Sequence, residues 1–359
     1  MKKIKVLSVN ISEQKGTIKH PVPSITLTEN GVEGDAHSGS WNRQVSLLGM
    51  ESIRKFEKEA NRKINYGEFA ENITTEGLDL WRCQPLDRFV SEGMELEVTQ
   101  IGKECHGTSC AIFKEVGNCV MPKEGIFARI RDKRYEIRDT RYEQPATSNQ
   151  QPATNNQRPG TWNLKPETIL YYKPKIFSAR IITLSDRAFR GEYEDKSGPR
   201  VKELLEGLFV SPQSAVRSPQ SSVTSHVPRP SSFVPRLSSL VTLLPDDPHQ
   251  LRTKLQEAIK AGTDFIFTTG GTGIGSRDFT PDVVKSILDK EIPGLMEMIR
   301  IKYGTRKHQA LLSRSVAGVV SNSLIFTLPG SVKAVNEYME EITKSLMHMV
   351  YMLHGLDTH

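Results

Sequence analysis

From Asp139 to Thr161 the sequence reads DTRYEQPATSNQQPATNNQRPGT, with Gln-Pro-Ala-Thr twice and almost nothing apolar to bury. Such a segment cannot enter a packed core and reads as a flexible linker, so the chain must build separate cores on either side of it. The two flanks follow different periods. Ahead of the linker, apolar and polar residues alternate, as in MELEVTQI from Met94 to Ile101, and Asn30-Gly31 and Glu33-Gly34-Asp35 mark turns. That pattern predicts a mainly β, antiparallel, barrel-like domain with one or two helices, such as MESIRKFEKEA. Behind the linker, short β-rich runs (ARIITL, SLVTLL, DFIFTT, SLIFTLP) alternate with helical stretches (PRVKELLEGL, DPHQLRTKLQEAIKAG, TPDVVKSILDK, SVKAVNEYMEEITKSLMHMV). This alternation predicts an α/β domain whose mostly parallel sheet is flanked by helices. The expected boundaries are 1–138, a linker at 139–167, and 168–359. Within the last, a Ser/Pro-rich insert at about 209–236 (SPQSAVRSPQSSVTSHVPRPSS, Ser211 to Ser232) reads as a surface loop.

A length of 359 residues accommodates two domains of ordinary size. Hydrophobic content of 37%, charge of 25% and a mean hydropathy of -0.42 describe a soluble globular chain. The opening MKKIKVLSVN is broken by Ser8 and Asn10, too early for a signal or spanning segment, and a cytoplasmic protein is expected. A net charge of +6 and a pI near 9.0 suit nucleic acid, an anionic membrane or a phosphorylated small molecule. No zinc finger, RNP-type motif or basic helix is written here, so nucleic acid and membrane are not expected partners. All four cysteines (Cys83, Cys105, Cys110, Cys119) fall in the first third, where a reducing compartment makes them thiols or ligands.

Ligands of open α/β sheets bind beyond the carboxyl ends of the strands. Each such end is marked: Ser185-Asp186-Arg187 after ARIITL, Pro245-Asp246-Asp247 after SLVTLL, a glycine-rich turn after DFIFTT, and Pro329-Gly330-Ser331 after SLIFTL. In the turn, Gly270, Gly271, Gly273 and Gly275 let backbone amides approach a ligand, with Thr269 and Thr272 hydroxyls beside them. A strand-to-helix turn of this kind suits a phosphate or pyrophosphate; bare chain reversal is the competing account. Neither the P-loop nor the dinucleotide fingerprint is completed. With Thr280 as an N-cap and Pro281 first in the helix, Asp278 is released to hold Mg²⁺, with Asp246 as a second carboxylate. The plain alternatives are that Asp278 pairs with Arg277 and that Asp246 caps the helix starting near Pro248.

These pieces occur in one order: Ser185-Asp186-Arg187, Asp195-Lys-Ser-Gly-Pro199, Leu244-Pro-Asp246-Asp247, Thr269-Gly-Gly-Thr-Gly273, Ser276-Arg-Asp278-Phe-Thr-Pro-Asp282, Pro293-Gly-Leu-Met-Glu297, Leu312-Ser-Arg314 and Leu328-Pro-Gly330. From about Lys175 to Leu353 the chain resembles the molybdopterin adenylyltransferase family, which is also similar to the N-terminal domain of gephyrin-type proteins. The resemblance implies a trimeric α/β domain that transfers AMP from Mg-ATP to molybdopterin and releases pyrophosphate, ahead of a molybdate-insertion enzyme. It implies that Asp246 and Asp278 are catalytic and Mg²⁺-associated, and that Gly270 to Gly273 meet ligand phosphates. The implied substrate-binding set is Ser185, Asp186, Thr269, Gly270, Gly271, Thr272, Gly273, Glu297, Ser313, Pro329, Gly330 and Ser331.

Over roughly Ile4 to Arg138, Gly31-Val-Glu-Gly34-Asp35-Ala-His37, Arg43-Gln-Val45, Gly67-Glu68 and Glu71-Asn72-Ile-Thr-Thr-Glu-Gly77 resemble a MOSC domain, the module named for molybdenum cofactor sulfurases. The resemblance implies binding of molybdenum cofactor or sulfur transfer as a cysteine persulfide. In GKECHGTSCAIFKEVGNCVMP, Gly102 to Pro122, Cys110 is the best match to the functional cysteine and Cys105 the next, with His106, Lys103 or Lys114 able to favour a thiolate. A site of Cys105, His106, Cys110 and Cys119 lacks the paired spacing of zinc ligands. Cys83 and Cys119 read as buried thiols, and His37 as a ligand contact or a structural histidine. A noncatalytic molybdopterin-binding and trafficking protein is the alternative to the enzyme.

Overall fold

The computed structural model describes residues 1–91, 93–103, 113, 119–132, 160–210 and 236–356. It divides into two units, Met1–Lys175 and Ile176–His359.

The first unit is a barrel. Its elements are β1 (Lys2–Ile11), β2 (His20–Val22), β3 (Ile25–Thr28), β4 (Gly31–Val32), β5 (Val45–Gly49), α1 (Met50–Ala60), β6 (Ile73–Glu76), β7 (Arg88–Ser91), β8 (Met94–Ile101), α2 (Met121–Glu124), β9 (Ile126–Asp132), β10 (Trp162–Leu164) and β11 (Ile169–Lys173). Strands pair in the order β11-β7-β8-β9-β5-β6-β1, and β1 pairs again with β11, closing the ring. All these pairings are antiparallel except β5 with β6. The alternation in MELEVTQI sends Met94, Leu96 and Val98 into the core with Val6, Leu47, Ile73, Phe89 and Leu170. The opposite face is also covered: the Glu97 side chain is 1% exposed and accepts from Arg88, Arg129 and Arg131 at 2.7 to 3.2 Å. Burial alone would raise the Glu97 carboxyl; the surrounding guanidiniums outweigh it and hold it below the usual range.

The first unit reaches past the expected boundary at 168. Ile169-Leu-Tyr-Tyr-Lys173, rich in β-branched and aromatic residues, is the strand that closes the barrel, with Lys5 opposite Ile169 and Tyr172 opposite Phe89. Trp162–Leu164 pairs with Ile25–Leu27. Both strands therefore belong to the first unit, not to the linker or second domain.

The second unit contains β12 (Phe177–Leu184), α3 (Asp186–Phe189), α4 (Ser197–Val210), β13 (Leu237–Leu244), α5 (Pro248–Lys260), β14 (Phe265–Thr269), α6 (Thr280–Lys285), β15 (Lys290–Glu291), α7 (Pro293–Gly304), β16 (Ala317–Val320), β17 (Ser323–Leu328) and α8 (Val332–Leu353). The sheet order is β13-β12-β14-β17-β16-β15, parallel from β13 to β17 with an antiparallel edge. Both faces of β14 are buried, as a central parallel strand requires, and Phe267 stacks on its register partner Phe326 at 5.0 Å. The apolar stripe of α5, Leu251, Leu255 and Ala258, packs with Ile182, Ile266 and Ile325. The predicted helix TPDVVKSILDK is shorter, ending at Lys285, because its last residues lead into β15. The Ser/Pro-rich stretch at 211–235 and the linker at 139–159 lie outside the described residues.

Candidate active site at the carboxyl ends of the parallel strands

From β12 the chain crosses to β13 on one side, and from β14 it proceeds to β17 on the other. The crevice between the ends of β12 and β14 is thus a topological switch point, where ligands of open α/β sheets bind. A cavity of about 750 Å³ opens there, walled by Ser185, by Tyr193 to Ser197, by Asp246, by Gly271, by Gly275 to Asp278 and by Gly330.

The strand ends are locked to one another. Asp246 N donates to Asp186 Oδ1 at 2.9 Å, and Asp186 N donates to Asp246 Oδ2 at 3.4 Å, tying the exits of β12 and β13. Below them Ser197, Thr183 and Thr269 share hydroxyl bonds of 2.9 and 3.3 Å. Asp195 closes this floor by accepting from Thr183 Oγ1 at 2.7 Å, Ser197 N at 2.9 Å and Ser197 Oγ at 2.8 Å.

The glycine-rich turn is built by close approach. Gly270 has φ 98°, and a Cβ there would lie 2.4 Å from the Leu184 carbonyl oxygen; at Gly271, φ 63°, it would lie 2.5 Å from Thr280 Oγ1. The amides of Gly271, Thr272 and Gly273 find no acceptor among the described residues. Successive unpaired amides beside a cavity form a concave anion cradle. Arg314 fastens the turn from behind: its Nε donates to Gly273 O at 2.8 Å, its guanidinium donates to Asp278 O, and it forks onto Asp282 with two bonds of 2.9 Å.

The caps set aside one of the plain alternatives, at Asp246, and one expectation, at Thr280. Asp247, not Asp246, caps α5, accepting from His249 N at 2.8 Å and Gln250 N at 3.1 Å, so Asp246 is left facing the cavity. The residue preceding α6 is Phe279, and Thr280 is its first residue with a buried, unpartnered hydroxyl. Thr280 cannot cap because its own backbone is already helical and its hydroxyl is turned toward Gly271. Arg277 faces Asp186 at 3.9 Å, whereas the Asp278 carboxylate accepts Gly275 N at 2.8 Å.

Of the residues singled out from sequence, Ser185, Asp246, Gly271, Asp278 and Gly330 line the cavity, and Asp186 is bonded to one of them. Thr269, Gly270, Thr272 and Gly273 form the strand end and turn behind it. Pro329 precedes Gly330, and Ser331 caps α8 by accepting Ala334 N at 3.3 Å. Glu297 is exposed on α7, and Ser313 accepts from Tyr338 Oη at 3.0 Å; neither lines this cavity. Sequence reasoning left Tyr193, Glu194, Lys196 and Val332 unassigned. Only the Asp195-Lys-Ser-Gly-Pro199 motif pointed to that stretch.

Among the described residues no group of three or more His, Cys, Asp or Glu side chains stands ready to hold a metal alone. Two carboxylates completed by ligand phosphate are a different case, and one that Mg²⁺ uses. Asp246 accepts only the 3.4 Å bond, and Asp278 Oδ1 has no partner among the described residues. Four acids, Glu194, Asp195, Asp246 and Asp278, line the cavity against two cations, Lys196 and Arg277. An anionic guest therefore fits only with a cation beside it, so the residues present suit the metal.

In the first unit the fingerprint residues form a buried network. Lys19 and Asp35, each 1% exposed at the side chain, pair at 2.6 Å. Asp35 also accepts from Ser12 N, His37 N and Asn72 Nδ2 at 3.0 to 3.1 Å. Burial alone would raise the Asp35 carboxyl, but His37 and the Lys19 ammonium hold it well below the usual carboxylate range. Glu71 is fully buried; its Oε1 accepts Gly67 N at 2.7 Å and Thr74 Oγ1 at 2.9 Å, Oε2 has no partner among the described residues, and burial pushes its carboxyl up. Lys19 was not foreseen, and nothing local in its sequence marks it. His37 is half-buried beside Asp35 at 3.5 Å. Cys105, His106 and Cys110 lie outside the described residues; Cys83 is buried and Cys119 partly buried.

Residues 34–138 match the MOSC domain family, and residues 238–348 match the family described as a probable molybdopterin binding domain. Molybdopterin adenylyltransferase of Pyrococcus furiosus is 35% identical over 182 residues, 49% of this chain and 91% of that protein. Molybdenum cofactor biosynthesis protein B of Staphylococcus aureus is 43% identical over 181 residues, 49% of this chain and 90% of that protein. Among solved structures, the molybdopterin biosynthesis enzyme MoaB of Thermus thermophilus is 34% identical, with a TM-score of 0.40 and coverage of 50% of this chain and 98% of that one. The chain thus belongs, through its C-terminal half, to the molybdopterin-binding family of molybdenum cofactor biosynthesis, and it carries a MOSC domain fused ahead of that half.

Proposed function

We propose that the C-terminal unit adenylylates molybdopterin: AMP passes from ATP to the terminal phosphate of molybdopterin, and pyrophosphate leaves. The observation that carries this reading is one cavity lined by Gly271, the first of three successive unpaired amides, and by two carboxylates with open lone pairs, Asp246 and Asp278. The relatives named for molybdopterin adenylyltransferase and cofactor biosynthesis support it. Asp246 and Asp278 would hold Mg²⁺, which when bound offsets phosphate charge and polarises phosphoryl oxygens. The turn amides orient phosphate oxygens and stabilise charge as it develops. Lys196 and Arg277 add positive charge along the wall. The bonded floor of Thr183, Ser197 and Thr269 keeps these donors in place.

The test is pyrophosphate release from molybdopterin, ATP and Mg²⁺, wild type against Asp278→Ala. Release that requires molybdopterin and falls about 100-fold or more in the variant supports transfer. A wild type that binds molybdopterin yet releases nothing gives the pocket to binding and trafficking instead.

For the N-terminal unit we infer that it binds molybdenum cofactor or carries sulfur as a persulfide on Cys110, with Cys105 as the exchanging thiol. Fusion to a molybdopterin-family domain supports this. Mass spectrometry that finds no persulfide or cofactor on the purified Cys110 form, compared with Cys110→Ser, would sink it. Exposed Met298, Ile301, Leu311 and Leu312 on α7 and the turn after it suit a homotrimer through the second unit, handing product to a molybdate-insertion enzyme in the cytoplasm. A monomer mass by light scattering removes the trimer. No helix among the described residues is long and apolar enough to cross a membrane.

A further inference from the structure

We propose that Tyr193 is the residue that recognises the flat heteroaromatic ring of the phosphorylated ligand this cavity takes. The inference rests on the reading of the cavity as a phosphate-ester site and adds to it which end of the ligand lies where.

Among the described residues lining the cavity Tyr193 is the one aromatic, and the other apolar side chains are Leu184 and Val332. The residue is 47% exposed. The ring is also held in place before any ligand arrives. Its hydroxyl lies 2.7 Å from Ser185 Oγ, and Ser185 is itself fixed as the cap of α3, accepting Ala188 N at 3.2 Å. The Arg187 guanidinium sits 5.1 Å from the ring centroid, and Arg187 in turn faces Glu192 at 3.4 Å. A tyrosine with its hydroxyl bonded and a cation over its face has lost most of its rotamer freedom already, so stacking a second ring on it costs little further ordering.

The strap that carries Tyr193 also brings Glu194, Asp195 and Lys196 to the wall, but the unpaired amides and the two open aspartates lie elsewhere in the chain. The unpaired amides and Asp278 belong to the turn after β14, and Asp246 to the turn after β13, whereas Tyr193 stands on the strap between α3 and α4. Phosphates and the cation that accompanies them have their amide and aspartate partners on the first two turns, with Lys196 adding charge from the strap; among the described lining residues a flat ring finds an aromatic partner only at Tyr193. Adenine and a pterin share the required chemistry, and each would reach this cavity attached to phosphate.

The test titrates full-length protein with three probes in the presence of Mg²⁺: AMP, pterin-6-carboxylate and inorganic pyrophosphate. Wild type is compared with Tyr193→Ala and Tyr193→Phe. The alanine variant is expected to lose roughly tenfold or more in affinity for a ring-bearing probe, the scale of aromatic stacking on a base, with pyrophosphate affinity unchanged. The phenylalanine variant, which keeps the ring, should stay near wild type. Whichever probe weakens names the ring: AMP for a nucleotide base, the carboxylate for a pterin. Unchanged affinity of Tyr193→Ala for both ring probes overturns the inference, as does a parallel loss of pyrophosphate binding, which would mean a collapsed strap. A wild type that binds none of the three overturns the phosphate-site reading itself, and this inference with it.

Discussion

Arg314 offers the sharpest test of how the glycine-rich turn is held. Its guanidinium reaches two backbone carbonyls of that turn, Gly273 and Asp278, and the Asp282 carboxylate at the start of α6. The ion pair is open to water, with Arg314 39% and Asp282 60% exposed, so it contributes only about 0 to 1 kcal/mol. The carbonyl bonds matter more: hydrogen bonds from a charged donor are worth about 1.5 to 3 kcal/mol each, and partial exposure takes these to the low end. Arg314→Ala should therefore release about 3 kcal/mol of ordering from the turn, a loss of about 100-fold in occupancy of its binding-competent form. Arg314→Lys keeps the charge but not the fork that spans two carbonyls, and should recover only part. The assay is pyrophosphate affinity by titration beside the initial rate of pyrophosphate release, with far-UV dichroism and melting to report the fold. Both affinity and rate should fall, with the second unit melting no more than about 6 to 12 °C below wild type. An Arg314→Ala protein that binds and turns over within about threefold of wild type would refute the reasoning, since a clamp of about 3 kcal/mol cannot vanish silently.

Two further predictions concern single side chains. Burial raises the Glu71 carboxyl, so above the unfolded value of 4.5 the unfolded chain gives up a proton the folded one keeps, and stability is lost as pH rises. Glu71→Gln removes that loss: its melting temperature relative to wild type should climb between pH 5 and pH 8, by about 2 to 4 °C for each kcal/mol recovered, and a pH-independent difference in calorimetry would count against it. Gly271→Ala must place a Cβ 2.5 Å from Thr280 Oγ1 at φ 63°; it should destabilise the second unit by about 1 to 3 kcal/mol and abolish pyrophosphate binding, whereas retention of that binding would show that the turn tolerates the shift.

The βα grammar behind the linker was readable because each parallel strand is a short apolar run and each helix opens on a cap or proline, and those local choices agree with the global sheet. The convergence of strand ends followed from topology alone. What local pattern could not reveal was pairing at long sequence distance. Ile169-Leu-Tyr-Tyr-Lys173 is a strand by composition in either domain; only its register against Lys2 to Lys5 and Arg88 to Val90 assigns it to the barrel. The choice between Asp246 and Asp247 as cap turns on backbone conformation at two identical neighbours, with Asp247 at φ -129° and ψ 116° outside the helix. The strap escaped notice for a related reason: Tyr193 and Lys196 acquire meaning only when a turn at Gly191 brings them over a crevice formed by other strands.

Carboxylates at this site sort by how many donors they already satisfy, and the sorting separates scaffold from chemistry. Asp195 accepts four bonds, from Thr183 Oγ1, Ser197 N, Ser197 Oγ and Gly198 N, and is committed to holding the floor. Asp247 is used by His249 and Gln250, and Asp282 by both arms of Arg314. Each of these acids caps, closes or clamps an element, and each would be costly to leave unpaired. Asp246 and Asp278 at the strand-end turns stand apart, as does Glu194 on the strap: Asp246 takes a single 3.4 Å bond, Asp278 spends one oxygen on Gly275 N, and Glu194 has no partner among the described residues. Two under-bonded carboxylates lining one cavity repel each other and any phosphate unless a cation joins them. The unpaired amides of Gly271 to Gly273 answer the phosphate, so the cavity asks for opposite charges at once, an anion on the turn and a metal on the acids, and a phosphate ester bound with a divalent cation meets both demands together.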